Sequence, residues 1–312
     1  MSATTTPATN EPAPRTKGVG RGRRRMTAEA NRNRPSASLT VVMVVMFLYV
    51  VLPLVWLVIS STKTNGGLFS SFGLWFADDF ALWDNIRALF SYQDSVYPRW
   101  LLNTVLYAGV GGVGATILAT LGGYGLAKYD FPGRRAAFAV VIGAMTVPMT
   151  ALAVPTFLMF SQLGLTNTVW AVLIPALASP FGLYLMYVYS QESVPDSLLE
   201  AARLDGAGEL RTFLTVSIRL LSPGFVTVLL FSVVATWNNY FLPLIMLSDP
   251  QLYPLTVGLN QWNDQAGSSG QGDPVYNLVL TGSLVAIIPL VIVFLSLQRF
   301  WQSGLAAGSV KQ

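Results

Sequence analysis

Long apolar stretches without charge alternate with short charged segments along this chain. Residues 38–60, 101–127, 220–248 and 275–298 contain no Asp, Glu, Lys or Arg. Each stretch is long enough to cross about 30 Å of hydrocarbon, and one ionisable side chain at that depth costs at least about 2.5 kcal/mol. The pattern therefore predicts one transmembrane helix in each stretch.

A further charge-free run, residues 136–191, is too long for a single crossing. It must fold back once, and its most polar window is residues 162–168. That window is long enough for a tight connection between antiparallel helices. The prediction is a total of six transmembrane helices.

The composition favours the same class of protein. Of the 312 residues, 53% are hydrophobic and 11% are charged, and the mean hydropathy is +0.52. A soluble chain of this size could not bury so much apolar surface, so we expect an all-α membrane protein. The chain has no Cys and no His, which excludes disulfides, thiol and imidazole catalysis, and the usual zinc ligands. We therefore expect neither a catalytic residue nor a metal.

The N-terminal segment, residues 1–34, is basic and rich in Thr, Pro and Ala. Such a composition cannot build a core, so a disordered cytoplasmic tail is expected. An apolar stretch follows directly, which favours the anionic membrane surface over nucleic acid as the partner of the tail. No small-residue cleavage site follows that stretch, so an uncleaved first span is expected. The expected domains are the tail 1–34, a transmembrane domain 35–300 with an inner loop at 192–219, and a cytoplasmic tail 301–312.

The basic residues predict the orientation of the chain. If the N-terminus lies inside, only Lys63, Arg87 and Arg99 fall on outer segments. The positive-inside rule then places both termini in the cytoplasm, even when the N-terminal tail is not counted. The inner basic residues after that tail are Lys128, Arg134, Arg135, Arg203, Arg211, Arg219, Arg299 and Lys311.

Two outer loops are large enough to meet extracytoplasmic partners. Residues 249–274 are polar and Gly-rich. Residues 63–100 are rich in aromatic side chains, which suits a segment that lies in the membrane interface or packs on the helix bundle. These aromatic residues are Trp75, Phe76, Phe80, Trp83 and Trp100.

The inner loop contains a predicted short helix within residues 193–208. Ser193 is a candidate N-cap, Asp196 a candidate capping-box acid, and Gly206 a candidate left-handed stop. Small residues along one side would permit close approach of a partner. The alternative is an ordinary solvated loop helix. The residues on that side are Leu198, Ala201, Ala202 and Asp205.

The inner loop also carries a family resemblance. Glu200-Ala201-Ala202, followed by Gly206, resembles the cytoplasmic EAA motif of permease subunits in binding-protein-dependent ABC importers. Further segments resemble the carbohydrate-uptake members, in particular the maltose-type second permease, over roughly residues 36–312. They are Gly122-Gly123-Tyr124-Gly125-Leu126-Ala127-Lys128 with Phe131-Pro132-Gly133-Arg134, Pro148 and Pro155, Leu163-Gly164-Leu165 with Asn167-Thr168, Trp237-Asn238, Gln298-Arg299-Phe300, and the run 304–311.

The resemblance implies a type I ABC importer permease fold with six transmembrane helices and both termini in the cytoplasm. A helix around Glu200 would dock into a cytoplasmic ATPase, whose nucleotide-driven closure would rock the membrane helices. No Gly-x-x-x-x-Gly-Lys-Ser/Thr loop occurs here, so ATP and Mg would bind the partner ATPase and this chain would bind no cofactor. The implied docking residues are Glu200, Ala201, Ala202, Asp205 and Gly206.

The same resemblance implies four partner proteins: a second permease subunit in a heterodimer, two ATPase subunits and an extracytoplasmic solute-binding protein. The C-terminal tail would contact the ATPases through Gly308, Val310 and Lys311. The last outer loop would contact the binding protein through Asn260, Gln261, Trp262 and Gln271.

The chain departs from the family pattern at three places. Ile218-Arg219 stands where the family usually has a Leu-Pro pair, and Pro223 comes only later. Asn239 replaces a common acidic residue in the fifth span, and Tyr187-Val188-Tyr189 replaces a basic position near the end of the fourth. None of these changes lies in the docking motif.

Polar side chains within the spans are candidates for a sugar path. Aromatic faces bind sugar C–H surfaces, and amides pair with sugar hydroxyls. The alternative is that the amides hold helices together, as the glycines of the second span also would. The candidates are Asn103, Tyr107, Trp237, Asn238, Asn239, Tyr240 and Asn277.

Three functional classes remain at this point. An ABC importer permease for a sugar follows from the resemblance and from the uncharged spans, although a polyol phosphate is an alternative substrate. An ion-coupled secondary sugar transporter would commonly place an acidic residue at membrane depth, and the predicted spans contain none. A scaffold or receptor without transport would leave the EAA-like helix as a coincidence.

Overall fold

The computed structural model describes residues 37–267 and 275–308, with the backbone alone for Arg299 and residues 301–308. The chain divides into two units, residues 1–54 and 55–312. Every regular element in the described ranges is helical. The helices are α1 (Ala37–Ser61), α2 (Asn65–Ser70), α3 (Leu82–Leu106), α4 (Gly112–Lys128), α5 (Arg134–Thr146), α6 (Ala153–Gln162), α7 (Trp170–Ala176), α8 (Pro180–Ser193), α9 (Asp196–Leu204), α10 (Glu209–Thr212), α11 (Ile218–Trp237), α12 (Phe241–Met246), α13 (Leu255–Gly267) and α14 (Tyr276–Gly308), with π-helical turns at Tyr107–Gly111 and Phe213–Ser217 and a 3-10 turn at Pro250–Leu252.

Five helical segments of the described residues are long and apolar enough to cross a membrane. They confirm an all-helical, multi-pass membrane protein, and they fall on the predicted apolar stretches. The segment expected to supply a sixth span instead forms two shorter helices, α5 and α6. The five spans are Ala37–Ser61, Leu82–Lys128, Trp170–Ser193, Glu209–Trp237 and Tyr276–Gln298.

The break between α5 and α6 follows from a proline. Val147 has an extended backbone with φ −83° and ψ 124°, because the ring of Pro148 disfavours the helical conformation in the residue before it. The chain becomes helical again at Ala153. A charge-free run alone does not reveal this interruption, which is why the prediction drew one continuous span.

The fifth predicted span, residues 220–248, is also divided. Helix α11 begins earlier, at Ile218, and ends at Trp237. The amide of Asn238 donates to the Val234 carbonyl at 2.9 Å, and a side-chain bond of this kind competes with continued helix. Asn238, Asn239 and Tyr240 therefore lie in a short connection before α12, outside any long helix.

Glycines allow α4 to pack closely on its neighbours. A Cβ on Gly123 would lie 2.7 Å from the backbone nitrogen of Tyr187 in α8, and one on Gly112 would lie 3.1 Å from the Cα of Val233 in α11. Gly114 and Gly122 face side chains at similarly short range. Close packing is thus confirmed for these four glycines, whereas a Cβ on Gly109 or Gly125 would meet no described atom within 4 Å.

An aromatic cluster holds α3 and α13 together. The Trp100 and Trp262 rings lie 4.7 Å apart between centroids, and both side chains are buried. Gly258 leaves the space that the Trp100 ring fills, because a Cβ there would lie 2.2 Å from that ring. Trp100 therefore packs on the bundle, whereas the other aromatic residues named in the first outer loop are exposed: Trp75, Phe76, Phe80 and Trp83.

Hydrogen bonds fasten the end of α1 to α3. The amide of Asn85 donates to the carbonyls of Ser61 and Lys63, both at 2.9 Å. Lys63 is 1% exposed, and its ammonium donates to the Phe72 carbonyl at 2.9 Å. These contacts order the predicted outer loop, which contains α2 and the first turns of α3.

Candidate functional site

The predicted inner helix exists as α9, Asp196–Leu204, but it begins differently from the prediction. Ser193 is the last residue of α8, so its predicted role as the N-cap of the inner helix is wrong. Val194 and Pro195 are extended and separate the two helices, because a proline disfavours helix in the residue before it. Pro195 takes the N-cap position without a side-chain cap.

The predicted stop at Gly206 is confirmed. Its φ is +77°, a left-handed conformation that glycine adopts without steric cost. The Gly206 N–H donates to the Arg203 carbonyl at 3.0 Å, and the Ala207 N–H donates to the Ala202 carbonyl at 2.9 Å. Together these bonds form a Schellman motif, which closes α9 and fixes the direction of the chain beyond it.

One side of α9 packs on the chain, and the other side is open. Leu199 is 3% exposed and Ala202 is half-buried, whereas Glu200, Ala201 and Asp205 are exposed. The expected small-residue side is therefore incomplete, because Ala202 belongs to the inner side. Leu204 is 89% exposed at the end of the open side, so that side presents apolar and acidic groups together.

An ion pair joins α9 to the end of α4. The Lys128 ammonium donates to an Asp196 carboxylate oxygen at 2.8 Å, and the Lys128 side chain is only 5% exposed. The hydrogen bond and the positive charge of Lys128 hold the pKa of Asp196 below its usual value. On the acid side, the pair therefore persists down to that lowered pKa and is lost as Asp196 takes up a proton.

A second polar link lies beside the first. The Tyr129 hydroxyl donates to Glu209 at 2.8 Å, and Arg203 of α9 donates to the same carboxylate at 2.7 Å. Burial and the Glu209 contact raise the pKa of Tyr129. We call the five residues of these two links the polar latch: Lys128, Asp196, Tyr129, Arg203 and Glu209.

The polar latch could not be predicted from the sequence. Lys128 and Asp196 are 68 positions apart, and nothing in the chain marks them as partners. The sequence offered only a weak signal for this contact, because each of the two residues is charged and lies at the boundary between an apolar run and an inner loop. The polar latch joins α9 to α4 through contacts that only the fold brings together.

Two of the sugar-path candidates hold the 3-10 turn at Pro250–Leu252 in place. The Asn103 amide donates to the carbonyls of Gln251 and Tyr253 at 2.8 and 3.0 Å, and the Tyr107 hydroxyl donates to the Leu252 carbonyl at 2.9 Å. Both side chains are buried. Their contacts match the alternative in which polar groups join segments of the fold.

A third candidate, Asn277, belongs to a similar contact. Its amide donates to the Asn85 side chain at 2.7 Å, and its backbone N–H donates to the Asn65 side chain at 3.0 Å. This arrangement links α14 to the Asn85 contacts at the end of α1. The three candidates therefore lie in two separate hydrogen-bonded groups that join segments of the fold.

The structure does bring other candidates together. Trp237, Asn238 and Tyr240 line a cavity of about 520 Å³ with Asn260, which the sequence assigned to a different contact. The Asn260 amide donates to the Tyr240 hydroxyl at 2.9 Å. The cavity lies among the end of α11, α13 and α14, and we call it the Trp237 cavity. Asn239 lines a separate cavity of about 270 Å³.

The residues predicted to meet a binding protein have different positions. Asn260, Gln261 and Trp262 lie on α13, so much of the predicted loop is helical. Trp262 is 1% exposed and its indole N–H donates to Gln93 at 3.0 Å. It therefore cannot be part of a contact surface, because its ring is enclosed in the aromatic cluster. Gln261 is half-buried, and Gln271 lies outside the described residues.

The predicted tail contacts fall at the end of the described chain. Helix α14 continues through residues 301–308 and ends at Gly308. Val310 and Lys311 lie outside the described residues. The helix thus extends well past Gln298, where the apolar span ends.

Comparison with known families gives a match over nearly the whole chain. The family described as "Binding-protein-dependent transport system inner membrane component" matches residues 26–306. Such a match covers the spans, the inner loop and α9 together.

Several characterised proteins are similar in sequence. The arabinooligosaccharides transport system permease protein AraQ of Bacillus subtilis (strain 168) is 32% identical over 228 residues, which cover 73% of this chain and 78% of that protein. The diacetylchitobiose uptake system permease protein NgcG of Streptomyces coelicolor is 30% identical over 268 residues, or 84% of this chain and 83% of NgcG. The lactose transport system permease protein LacG of Rhizobium radiobacter is 28% identical over 264 residues, or 84% and 91%.

One solved structure shares the fold. A chain in the crystal structure of a bacterial ABC transporter involved in the import of the acidic polysaccharide alginate superposes with a TM-score of 0.72. The two chains are 24% identical, and the match covers 92% of this chain and 100% of the other. The likeness shows that the helices are arranged as in an ABC importer permease.

Proposed function

Because the chain belongs to the family of binding-protein-dependent transport system inner membrane components, we propose that it is the permease subunit of an ATP-driven importer that moves a sugar or oligosaccharide across the cell membrane. Its relatives are named as permeases of transport systems, which are membrane subunits and not enzymes. The solute would be delivered by an extracytoplasmic binding protein. ATP and Mg would be bound by a separate ATPase.

The observation that carries this proposal is the open side of α9. Glu200, Ala201 and Asp205 are exposed on a helix that is closed by Gly206 and fixed to α4 by Lys128. A helix that is anchored on one side and open on the other can dock into a second protein and pass its displacement to the bundle. The EAA-like motif implies a contact with an ATPase, and the anchored helix with its open side suits such a contact.

The number of spans and the orientation belong to the proposal. The segment that contains α5 and α6 connects two spans, Leu82–Lys128 and Trp170–Ser193. We assign the two helices together to a sixth, interrupted crossing between those spans. Both termini then lie in the cytoplasm, as does α9, in agreement with the distribution of Lys and Arg. Non-helical backbone at membrane depth is tolerated where neighbouring protein covers it.

The proposal also includes the other subunits and the membrane contacts of the chain. A second permease subunit completes a heterodimer, and two ATPase subunits bind on the cytoplasmic side. Gly308, Val310 and Lys311 would contact the ATPases, and exposed parts of the 249–274 segment would contact the binding protein. The basic N-terminal tail would lie on the anionic inner face of the membrane.

A sugar is favoured as the solute by the chain and by its relatives. AraQ, NgcG and LacG are named for transport of arabinooligosaccharides, diacetylchitobiose and lactose. The five candidate spans have few charges, whereas a permanently charged solute such as a polyol phosphate is more often met by Arg or Lys. The charge-free stretches 38–60, 101–127, 136–191, 220–248 and 275–298 contain no acidic side chain, so proton coupling through such a group has no support within them.

The test is uptake by the reconstituted complex. The chain is purified with its co-expressed partners, placed in proteoliposomes that contain ATP, and supplied with the binding protein and radiolabelled lactose, melibiose, diacetylchitobiose or arabinobiose. We expect uptake of at least one saccharide that requires hydrolysable ATP. Uptake that depends on a sodium or proton gradient and not on ATP would contradict the proposal.

A further inference from the structure

We propose that the Trp237 cavity holds one unit of a neutral saccharide during translocation, and that the Trp237 indole N–H donates a hydrogen bond to it. This inference rests on the proposed function and adds a place of contact on this chain. The first supporting feature is size. The cavity measures about 520 Å³, within the range of about 300–1,000 Å³ typical of small-molecule sites.

The second feature is an indole N–H, on a mostly buried tryptophan, that has no hydrogen-bond partner among the described residues. The buried tryptophans among the described residues are Trp100, Trp237 and Trp262. Trp100 donates to the Pro250 carbonyl at 2.8 Å, and Trp262 donates to Gln93 at 3.0 Å. Trp237 is 8% exposed and lines the cavity, yet its N–H has no partner in the described part of the chain. Because buried indole N–H groups usually find an acceptor, a ligand in the cavity would supply one.

The third feature is the set of amide and hydroxyl groups on the wall. The Tyr240 hydroxyl accepts a hydrogen bond from Asn260, so its own O–H remains free to donate. The Asn238 amide nitrogen is used on Val234, which leaves the Asn238 side-chain oxygen as an acceptor. Asn263 lines the cavity as well, with no bond to another described residue. Mixed donors and acceptors of this kind match sugar hydroxyls, which both donate and accept.

The fourth feature is charge, which selects among saccharides. The lining contains no Asp, Glu, Lys or Arg. An uncharged wall offers no counter-ion to the carboxylate of an acidic sugar, which would be costly to bury there, so the cavity favours a neutral saccharide. The apolar part of the wall, including Leu255 and Leu259, suits the C–H faces of a neutral ring.

The experiment uses the absence of cysteine from this chain. Ser283 lines the cavity, and its hydroxyl donates only to the Val279 carbonyl of its own helix, so Ser283→Cys is a conservative probe. Ser91 is exposed on α3 outside the cavity, and Ser91→Cys is the matched control. Each variant is purified as the assembled importer in detergent and labelled with a maleimide, with the labelled peptide of this chain quantified by mass spectrometry.

Labelling is measured with lactose, melibiose, diacetylchitobiose, arabinobiose or, as an acidic counterpart, digalacturonate. We expect the saccharide that the reconstituted importer takes up to slow labelling of Ser283→Cys by about threefold or more and to leave Ser91→Cys unchanged. Adding Trp237→Phe, which removes the N–H and keeps an aromatic ring, should raise the sugar concentration needed for protection by about tenfold. Trp170→Phe, at an exposed tryptophan outside the cavity, should leave that concentration unchanged.

Other outcomes would overturn the inference. A saccharide that is transported but does not protect Ser283→Cys would show that the cavity is not on its path, while the proposed function would stand. Protection that persists unchanged in Trp237→Phe would remove the role of the indole. Labelling that is blocked by the second permease subunit alone would identify the cavity as a subunit interface. If none of the saccharides is taken up, sugar import fails and the cavity proposal falls with it.

Discussion

Single residues of this chain decide where helices end and how closely they approach. Gly206 was predictable from the sequence, because a glycine after an amphipathic segment is a common helix stop. Ser193 was misleading, because a serine before a proline resembles a cap in sequence, whereas the structure continues α8 to that residue. The close approach of Trp100 to Gly258 could not be predicted, since the two residues meet only in the folded chain.

Replacing Gly206 with valine should abolish uptake while the protein stays in the membrane. A β-branched residue at φ +77° is strained by roughly 1–3 kcal/mol, which would redirect the chain after α9. The measurement is ATP-dependent uptake together with the amount of protein in the membrane. Gly208→Ala is the control, because Gly208 has an extended φ of −71° and open space around it. Normal uptake by Gly206→Val would contradict the docking role of this segment.

Replacing Gly258 with alanine should destabilise the fold by roughly 1–3 kcal/mol. The new methyl group would overlap the Trp100 ring, which lies 2.2 Å from that position. Thermal unfolding in detergent measures the change. On the same helix, Gly267→Ala meets its nearest neighbour only at 3.7 Å and should leave the melting temperature unchanged. Equal melting temperatures for the two variants would argue against the packing described for the aromatic cluster.

At the scale of elements, charge-free runs located the spans but not their interruptions. The charge-free runs were sufficient to locate the spans because ionisable residues are costly in hydrocarbon. The breaks at Pro148 and Asn238 depend on local backbone chemistry, which a count of charges does not register. The polar latch was also beyond reach, because it joins the end of α4 to α9 and α10 through residues distant in sequence.

Reversing one charge of the latch should uncouple α9 from α4. Asp196→Lys places an ammonium group beside the nearly buried Lys128, so we expect uptake to fall by roughly tenfold through repulsion and loss of the pair. Combining Asp196→Lys with Lys128→Asp restores opposite charges and should recover most of the uptake. The measurement is uptake per ATP hydrolysed in proteoliposomes.

The exposed pair Arg87–Asp84 serves as the control for charge reversal. Its side chains are 84% and 80% exposed, so Asp84→Lys should have little effect, as is typical of surface ion pairs. A double variant at Lys128 and Asp196 that remains as impaired as the single one would show that the pair itself is not the link.

At the scale of the whole molecule, the sequence identified an importer permease and misplaced part of its candidate site. The EAA-like segment predicted the inner helix α9, since its pattern is local and continuous. Trp237 and Asn260 were assigned to different surfaces, and the fold places them on one cavity wall. Asn103 and Asn277 instead form hydrogen bonds with other segments of the chain. Whether a polar side chain lines a cavity or joins two segments depends on its neighbours in the fold and not on its residue type.

Deleting residues 309–312 tests the proposed contact between the tail and the ATPases. The deletion leaves α14 intact up to Gly308 and removes Val310 and Lys311. We expect a changed ATPase rate or weaker assembly of the purified complex, because the tail would supply part of the interface. An unchanged rate in a fully assembled complex would remove the tail from the mechanism.

The most direct test of the central claim is to identify what assembles with the chain. A tagged copy, expressed in its native cell and purified in mild detergent, is analysed by mass spectrometry with a tagged unrelated membrane protein as the reference. The account predicts an ATPase with a Gly-x-x-x-x-Gly-Lys-Ser/Thr phosphate loop and a second permease in the same complex. Recovery of the chain alone in several detergents would contradict an ATP-driven importer and would direct attention to a self-sufficient transporter.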